Sequence, residues 1–211
     1  MCKKINICGI GPGNPDLILP AVFKLVAQAD LIVGGERQLA TFDTQEKQTF
    51  VFRKSVQELI DILKTTSCQQ IVVLVSGDTG FHSLLASIRP HFQLSDLNVV
   101  PGISSYQYFF SKLGMQYNDA WIGSLHGQSI DFIAKLNEYK TVFLLTDKTN
   151  SWQLIAKKLC EKGLGDTMMF VGNRLSYPDE TIIESTACQL QNAEHNFDLC
   201  AVILQIKNEL K

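Results

Sequence analysis

The segment Ile71–Val75 is the feature that most constrains the fold of this chain. Its residues are all apolar, which is typical of a strand that is buried on both faces of a parallel sheet. A glycine-containing loop, Ser76–His82, follows this strand directly, and a segment with helical spacing follows the loop. Strand, loop and helix in this order form the repeating unit of an open α/β sheet.

The same alternation extends along the rest of the chain. Strands are predicted at Ile5–Ile10, Leu31–Val33, Leu97–Val100, Ala120–Ser124, Thr141–Leu145, Thr167–Val171, Glu180–Ser185 and Leu199–Ile206. Helices are predicted from Pro20 and over Ser55–Thr65 (with Ser55 as N-cap), Gly80–Arg89, Ser104–Leu113, Ile130–Asn137 and Trp152–Lys162. We therefore predict an α/β protein of two small domains, residues 1–114 and 115–211. The last two strands are separated only by a short helix, which predicts that the second sheet is mixed.

The composition of the chain limits the kinds of partner that it is expected to bind. The net charge is −2, whereas a nucleic-acid enzyme of this size usually carries a basic excess to neutralise phosphates. No apolar run approaches the roughly 18–20 residues of a membrane span, and the first residues do not form a signal-peptide core. We expect a cytoplasmic protein that binds neither nucleic acid nor membrane.

The cysteines and histidines do not form a metal-binding pattern. The six cysteines include no CxxC pair, and the four histidines are distant from them in sequence, so we predict no protein-held metal. Cys8, Cys160 and Cys200 lie in apolar segments, which predicts buried free thiols.

The loop Gly9–Asp16 is similar to a dinucleotide-binding fingerprint but departs from it. Asn14 stands where the third glycine of GxGxxG belongs, and Pro12 and Pro15 remove backbone donors that would bind a pyrophosphate. An NAD-dependent oxidoreductase is therefore disfavoured, although Glu36 lies near the position of a ribose-binding acid. A rigid turn without a binding role is the simpler alternative.

Two further loops follow strands of the first domain. In Ser76–His82, glycines permit a ligand to approach the backbone, and Asp78 can cap the next helix, bind a ligand, or do both. In Pro101–Ser105, the hydroxyls of Ser104 and Ser105 stand at a predicted helix N-terminus, which suits a carboxylate. Simple N-capping by Ser104 is the alternative there.

The second domain offers three loops, Leu125–Gly127, Leu145–Asp147 and Gly172–Glu180. In the first of them, His126 is either a functional group or a satisfied polar residue, and the sequence leaves both open.

Taken together, these loops resemble those of the tetrapyrrole (corrin/porphyrin) methyltransferase family. The resemblance spans Ile5 to about Ile206, and it rests on motifs in the family's order: GIGPGNPDLI, GGERQL, SGDTGF, PGISS, SLHG and NRLSYPDE. GGERQL, SLHG and NRLSYPDE resemble the cobalt-precorrin-7 C5-methyltransferase branch. The resemblance implies methylation of C5 of a corrin precursor, with or without cobalt, in cobalamin biosynthesis.

The resemblance also implies a cofactor and its contacts. S-adenosylmethionine is expected in a cleft between the two domains. The residues expected to bind it are Pro12, Gly77, Asp78, Phe81, Ser104 and Ser105 in the first part of the chain, and Leu145, Asn173, Arg174 and Leu175 in the second. Two positions depart from the family pattern, Thr79 in place of a common proline and Gln128 in place of a basic residue.

Methyl transfer from a sulfonium requires positioning and exclusion of water more than acid–base groups. This agrees with the lack of a recognisable nucleophile–His–Asp arrangement. His126 is the candidate base for a later ring proton, and Asp78 is the second candidate catalytic residue. Arg37 and Arg53, with Lys54 behind them, are candidates for binding substrate carboxylates, unless they are only solvated surface charges.

Several alternatives stay open from the sequence alone. They are a tetrapyrrole-family methyltransferase with another substrate, a ribosomal-RNA 2′-O-methyltransferase, which the charge disfavours, and a non-catalytic ligand-binding module. A homodimer is expected from the resemblance and from the small domains. A separate decarboxylating C15-methyltransferase is the expected pathway partner, because the chain ends at Lys211 without room for that unit.

Overall fold

The computed structural model describes residues 3–53, 55–127, 130–195, 197 and 200–206. Lys54 and Gln128 therefore lie outside the described residues. Contacts between Cα atoms divide the chain into two compact units, Met1–Ser104 and Ser105–Lys211. This division precedes the helix that ends the predicted first domain, whereas the predicted boundary at 114/115 follows that helix.

The first unit contains one five-stranded sheet. Its strands are β1 (Lys4–Gly9), β2 (Leu31–Gly34), β3 (Gln48–Val51), β4 (Gln70–Val75) and β5 (Leu97–Val100), in the spatial order β3-β2-β4-β1-β5. All neighbouring strands are parallel. Strand β3 was not predicted, because Gln48 and Thr49 are exposed at the edge of the sheet and supply no apolar run.

The central strand β4 is buried on both faces, as its sequence predicts. Ile71, Val73 and Val75 belong to the apolar cluster on one face, and Val72 and Leu74 belong to the cluster on the other. Helix α1 (Pro20–Gln28) contributes to the second cluster, whereas helix α3 (Val56–Thr65) contributes to the first. The Ser55 side chain accepts a hydrogen bond from the Glu58 backbone N at 3.1 Å, which confirms Ser55 as the N-cap of α3.

The segment predicted as a helix over Gly80–Arg89 is shorter in the structure. Only α4 (Leu85–Ile88) is α-helical, and the 3-10 turn Arg89–His91 follows it. The Ser83 hydroxyl donates to the Thr79 carbonyl and accepts from the Leu85 backbone N. These local bonds compete with the helical pattern at its start. The unit also contains α2 (Glu36–Leu39) and the 3-10 turns Pro15–Leu17 and Leu94–Asp96.

The second unit contains a mixed five-stranded sheet, as predicted. Its strands are β6 (Trp121–Ser124), β7 (Thr141–Leu145), β8 (Met168–Asn173), β9 (Thr181–Thr186) and β10 (Cys200–Gln205), in the order β6-β7-β10-β8-β9. Among the strand pairs of its described residues, only β6–β7 is parallel. The helices are α5 (Ser105–Lys112), α6 (Phe132–Tyr139), α7 (Trp152–Glu161) and α8 (Ala187–Leu190).

Helix α5 belongs to the second unit because its aromatic side chains pack there. Phe109 and Phe110 are fully buried. A Cβ added at Gly172 in β8 would lie 3.0 Å from the Phe109 ring, and the Tyr106 and Phe143 rings lie 6.0 Å apart between centroids. This packing explains why the contact division falls before α5.

The prediction that three cysteine thiols are buried is correct for Cys8 and wrong for Cys160 and Cys200. Cys8 and Cys68 are buried, but Cys160 and Cys200 are partly exposed and Cys188 is exposed. Cys160 and Cys200 lie at the end of α7 and the start of β10, where they pack at the margin of the core and are only partly covered. Within the described residues, no helix is long and apolar enough to cross a membrane.

Candidate functional site

Two loops of the first unit pair with each other at the carboxyl edge of its sheet. They follow β1 and β4, which are adjacent parallel strands, so both loops emerge at the same edge. The Gly11 backbone N donates to the Gly77 carbonyl at 3.2 Å, and the Gly77 N donates to the Gly11 carbonyl at 2.8 Å. Both glycines have positive φ, at 75° and 68°, a conformation that disfavours a side chain.

The loop after β5 approaches the other two at backbone distance. A Cβ added at Gly9 would lie 2.6 Å from the Gly102 backbone N and 2.8 Å from the Gly77 carbonyl oxygen. A Cβ at Gly102 would lie 2.2 Å from that same oxygen. Because the obstructing atoms belong to the backbone, they cannot yield as a flexible side chain would. Glycine is therefore required where these three loops meet.

The Asp78 carboxylate joins two of these loops. Its Oδ1 accepts a hydrogen bond from the Gly102 backbone N at 3.0 Å, and its Oδ2 accepts one from the Gly80 N at 2.7 Å. Asp78 does not cap the next helix, because α4 begins only at Leu85, so that part of the prediction is wrong. The carboxylate instead holds the loop after β4 against the loop after β5.

The other residues predicted to bind cofactor in this part of the chain lie in or beside these loops. Pro12 follows the paired Gly11 and is half-buried. The half-buried Phe81 ring packs edge-on against His82, with 4.6 Å between the centroids. Ser104 is buried at 1% exposure, and Ser105 is the first residue of α5.

In the second unit, Asp147 links the loops that follow β6 and β7. Its Oδ2 accepts a hydrogen bond from the Gly127 backbone N at 3.1 Å. Its Oδ1 accepts from the Thr149 hydroxyl at 2.7 Å and from the Thr149 and Asn150 backbone N atoms. The bond from the Thr149 hydroxyl, followed by those from the Gly127 and Asn150 N atoms, holds the pKa of Asp147 well below its ordinary value.

These bonds shape the loop that carries His126. The His126 side chain is exposed, and its backbone N donates to the Ser124 hydroxyl at 3.1 Å. Leu145, which ends β7, accepts a hydrogen bond at its carbonyl from the Leu125 N at 2.9 Å. His126 and Leu145 therefore lie on neighbouring loops at one edge of the second sheet.

The segment Asn173–Glu180 forms a turn with an unusual backbone. Arg174 and Ser176 have positive φ, at 49° and 69°. The Glu180 carboxylate accepts a hydrogen bond from the Ser176 backbone N at 2.6 Å and forms an ion pair with Lys112 at 3.0 Å. Burial would raise the pKa of Glu180, but bonds from Ser176, Tyr108 and Lys112 lower it below its ordinary value.

Neighbouring residues hold the side chains of Arg174 and Leu175 within this turn. The Arg174 Nε lies 2.6 Å from the Asp179 carboxylate, and its guanidinium stacks 4.7 Å from the Tyr177 ring centroid. Leu175 is buried at 6% exposure and fills the space above Gly172, where an added Cβ would lie 2.6 Å from Leu175 Cδ2.

Comparisons with known proteins show the family of the chain. The family described as Tetrapyrrole (Corrin/Porphyrin) Methylases matches residues 4–191. The chain belongs to the tetrapyrrole methylases. This confirms the family predicted from the loop motifs.

Curated relatives of the methylase match over most of their length. This chain is 30% identical over 178 residues to the cobalt-precorrin-7 C(5)-methyltransferase of Salmonella typhimurium, and the match covers 84% of this chain and 88% of that protein. It is 29% identical over 198 residues to a probable cobalt-precorrin-7 C(5)-methyltransferase of Methanocaldococcus jannaschii, covering 92% and 94%.

Solved structures share its fold. A cobalamin biosynthesis precorrin-6Y methylase from Archaeoglobus fulgidus superposes with a TM-score of 0.75 at 18% identity, covering 97% of this chain and 99% of that one. A uroporphyrin-III C-methyltransferase from Thermus thermophilus, complexed with S-adenosyl homocysteine, gives 0.74 at 19% identity, covering 96% and 92%.

The cations predicted to bind the methylase's substrate lie on the surface of the first unit. Arg53 pairs with Glu36 at 3.3 Å, and both side chains are highly exposed, at 79% and 74%. Arg37 is exposed on α2. The Gln38 side chain donates to the Ser76 hydroxyl at 3.0 Å, which anchors α2 at the start of the loop that contains Asp78.

Sequence reasoning gave no role to Asp147, Glu180 or Lys112 in the methylase. Asp147 lies in the candidate loop Leu145–Asp147 and Glu180 ends the motif NRLSYPDE, but the partners of both acids are set by contacts between separate segments. Each acid lies in a segment that follows a predicted strand, Thr141–Leu145 or Thr167–Val171, and this position is the signal that could have indicated both. Among the described residues, no group of three or more His, Cys, Asp or Glu side chains is placed to bind a metal.

Proposed function

We propose that this methylase transfers the methyl group of S-adenosylmethionine to C5 of precorrin-7 or cobalt-precorrin-7 in cobalamin biosynthesis. The observation that carries the proposal is the match to the Salmonella typhimurium enzyme, which extends over 84% of the chain at 30% identity. The relative from Methanocaldococcus jannaschii carries the same activity in its name.

The methionine part of the cofactor is proposed to bind Pro12, Gly77, Asp78, Phe81 and Ser104 in the loops of the first unit, and Ser105 at the start of α5. The backbone contacts of Gly9, Gly77 and Gly102 support this, because loops held by glycine present main-chain groups that no side chain covers. The hydrogen bonds that Asp78 accepts from the Gly80 and Gly102 backbone N atoms give this residue a positioning role, which fits the observed contacts better than proton transfer.

The second unit is proposed to bind the adenosine part through Leu145, Asn173, Arg174 and Leu175. The last three form one turn whose positive-φ residues are held by Glu180 and Asp179. A turn fixed in this way loses little conformational freedom when a ligand binds, which favours affinity.

S-adenosylmethionine supplies a sulfonium methyl group that leaves behind a neutral thioether. The chain's own residues then need to align the donor, hold the substrate carbon and exclude water. The rigid ring of Pro12 is suited to lie beside the methyl group and to keep water away from it. His126 remains the proposed base for the ring proton that departs after transfer, since its exposed imidazole stands in a loop fixed by Asp147.

The corrin precursor carries several carboxylates, which cations must bind. Arg37 and Arg53 are proposed for this role. The Gln38 side chain anchors α2 to Ser76. Its neighbour Arg37 therefore lies near the loop that is proposed to bind the cofactor, which supports a role for Arg37 in binding the substrate. Arg53 would exchange its exposed partner Glu36 for a substrate carboxylate at little cost, since exposed ion pairs contribute little free energy.

The test is direct assay of methyl transfer. Purified protein is incubated with S-adenosylmethionine and precorrin-7, with and without cobalt, and the macrocycle is analysed by mass spectrometry and NMR. A gain of one methyl group at C5 is the expected result. Binding of both ligands with no mass gain would assign the chain to a non-catalytic module, and methylation at another carbon would replace the proposed substrate position.

We also propose a homodimer, because each unit has a small core of its own. Light scattering at micromolar concentration is expected to give twice the 23.6 kDa chain mass, and a monomer mass would refute this. A separate decarboxylating C15-methyltransferase is the proposed pathway neighbour. Co-elution of the two purified proteins in size-exclusion chromatography tests whether they make contact.

A further inference from the structure

Two thiols of the second unit lie next to each other on its surface. The Cys160 Sγ on α7 is 3.5 Å from the Cys188 Sγ on α8, although 28 positions separate them in sequence. Cys188 is exposed and Cys160 is partly exposed. The two sulfur atoms are therefore in contact and open to reagents from solution.

The backbone around the pair is fixed. The Cys188 N donates to the Gly165 carbonyl at 3.0 Å, and the Ala187 N donates to the Thr167 carbonyl at 2.9 Å. These bonds attach the start of α8 to the turn after α7. The pair therefore meets because of main-chain geometry, and not through the chance orientation of two long side chains.

Gly165 leaves the space in which the thiols meet. A Cβ at this position would lie 2.6 Å from the Cys188 Sγ and 3.7 Å from the Cys160 Sγ. Any other residue there would displace the Cys188 thiol. The glycine is thus part of the arrangement that holds the two sulfur atoms together.

We propose that Cys160 and Cys188 form a dithiol site that reacts with low-molecular-weight disulfides and closes reversibly to an intramolecular disulfide. The sulfur atoms need to approach by only about 1.5 Å to reach bonding distance. Rotation of the two side chains can supply much of such a change.

The reaction balances as a thiol–disulfide exchange. The Cys188 thiolate attacks the small disulfide, forms a mixed disulfide and releases one small thiolate. The Cys160 thiolate then attacks the Cys188 sulfur and releases the second small thiolate. The two protein thiols are oxidised, the small disulfide is reduced to two thiols, and the two protons from the cysteines pass to the released thiolates.

The order of attack follows from exposure. Burial, and then the neighbouring Cys188 thiol, raise the pKa of Cys160, so that less of it is present as the nucleophilic thiolate. Cys188 is the more exposed thiol and meets the reagent first. Cys160 is then held beside the mixed disulfide as the resolving thiol.

The site lies at the far end of the sheet from the proposed cofactor turn. Thr186, which precedes α8, pairs with Met168 at the start of β8, and Thr181 pairs with Asn173 at its end. These ends are separated by about 17 Å, five residues of a strand. The inference is independent of the proposed function, and closing the disulfide is expected to leave S-adenosylmethionine affinity within twofold.

The test uses the full-length reduced protein and oxidised glutathione. The expected product has lost two hydrogen atoms, with a peptide map that links α7 to α8, and dithiothreitol restores the original mass. Cys160→Ser and Cys188→Ser should each lose the link. Cys68→Ser is the matched control and should retain it, since Cys68 is buried in the first unit.

A second probe guards against variants that fail to fold. Phenylarsine oxide binds two neighbouring thiols at once, and one equivalent should protect wild type from oxidation without disturbing its circular dichroism. Oxidised wild type should melt at a higher temperature than reduced wild type, because the link closes a long loop in the unfolded chain. Separate glutathione adducts on both cysteines, or a link that involves any other pair, would overturn the proposal.

Discussion

The Asp78 Oδ1 atom accepts a hydrogen bond from the Gly102 backbone N at 3.0 Å. The two residues are far apart in sequence and belong to loops that follow different strands. The other carboxylate oxygen accepts from the Gly80 N, so one side chain fixes two loops at the carboxyl edge of the sheet. Loss of this side chain should therefore affect the site more than the core.

The first prediction concerns this bridge. Asp78→Ala should weaken S-adenosylmethionine binding by roughly 1–3 kcal/mol, because charge-assisted hydrogen bonds that order the loops are lost. Asp78→Asn should lose less, since its carbonyl oxygen can still accept from Gly102. Ser104→Ala should weaken binding by a similar amount to Asp78→Ala. Isothermal calorimetry measures binding, and thermal unfolding should change less. Wild-type affinity in both alanine variants would contradict the placement of the methionine part.

The second prediction distinguishes methyl transfer from dinucleotide binding. Pro12→Gly should lower turnover on the corrin substrate by roughly tenfold to a hundredfold, because the rigid wall beside the methyl group is lost. The fold should persist, since the neighbouring Gly11–Gly77 bonds involve only backbone atoms. Titration with NAD is the companion measurement and should show no micromolar binding. Tight NAD binding together with unchanged turnover would favour the oxidoreductase.

The third prediction concerns Glu180, which holds the turn around Ser176. Glu180→Ala should weaken binding of S-adenosyl homocysteine by about fivefold to tenfold, roughly 1 kcal/mol for a lost hydrogen bond. Glu180→Gln should retain part of the affinity, because its carbonyl oxygen can accept from the Ser176 N. Fluorescence or calorimetric titration measures both variants.

A matched control for this test exists in the same unit. Glu138 forms an exposed ion pair with Lys135 at 3.1 Å, and Glu138→Ala should leave affinity unchanged. If Glu180→Ala binds like Glu138→Ala, the turn does not depend on the Glu180 carboxylate.

The fourth prediction concerns acid stability through Asp147. Its pKa in the folded protein is lowered from an ordinary value of 3.8, chiefly by the Thr149 hydroxyl and then by the Gly127 N. A lowered folded pKa stabilises the folded state above the unfolded pKa, and this contribution is lost as the pH falls through the folded value. Wild type should therefore lose stability below about pH 4. Asp147→Asn should be less stable at neutral pH and less sensitive to acid, as thermal unfolding between pH 7 and pH 2.5 will measure. Parallel pH profiles would contradict this role.

The local sequence determined the elements that bury a continuous apolar face. Ile71–Val75 was predicted as a two-sided buried strand because every residue in it is apolar, and the Ser55 N-cap was predicted from its type and position. The order of the loop motifs was sufficient to identify the family. These features were predictable because each depends on residues that are neighbours in sequence.

The tertiary structure decided what depends on distant partners. Strand β3 lies at an edge, where Gln48 and Thr49 are exposed and Phe50 and Val51 are only half-buried, and it is held by backbone bonds to β2, so its sequence carries a weak apolar signal. Helix α4 is short because local hydrogen bonds from Ser83 replace its first turn. Helix α5 packs with the second unit because Phe109 and Phe110 are buried there.

The roles of the two acids show the same division. The sequence placed Asp78 and Glu180 in loops that are predicted to be functional, but it could not show that Asp78 accepts a hydrogen bond from Gly102 or that Glu180 pairs with Lys112. The sequence fixes which groups can donate and accept, and it therefore limits the chemistry of each loop. Which donor meets which acceptor is decided only when folding brings separate segments within hydrogen-bond distance.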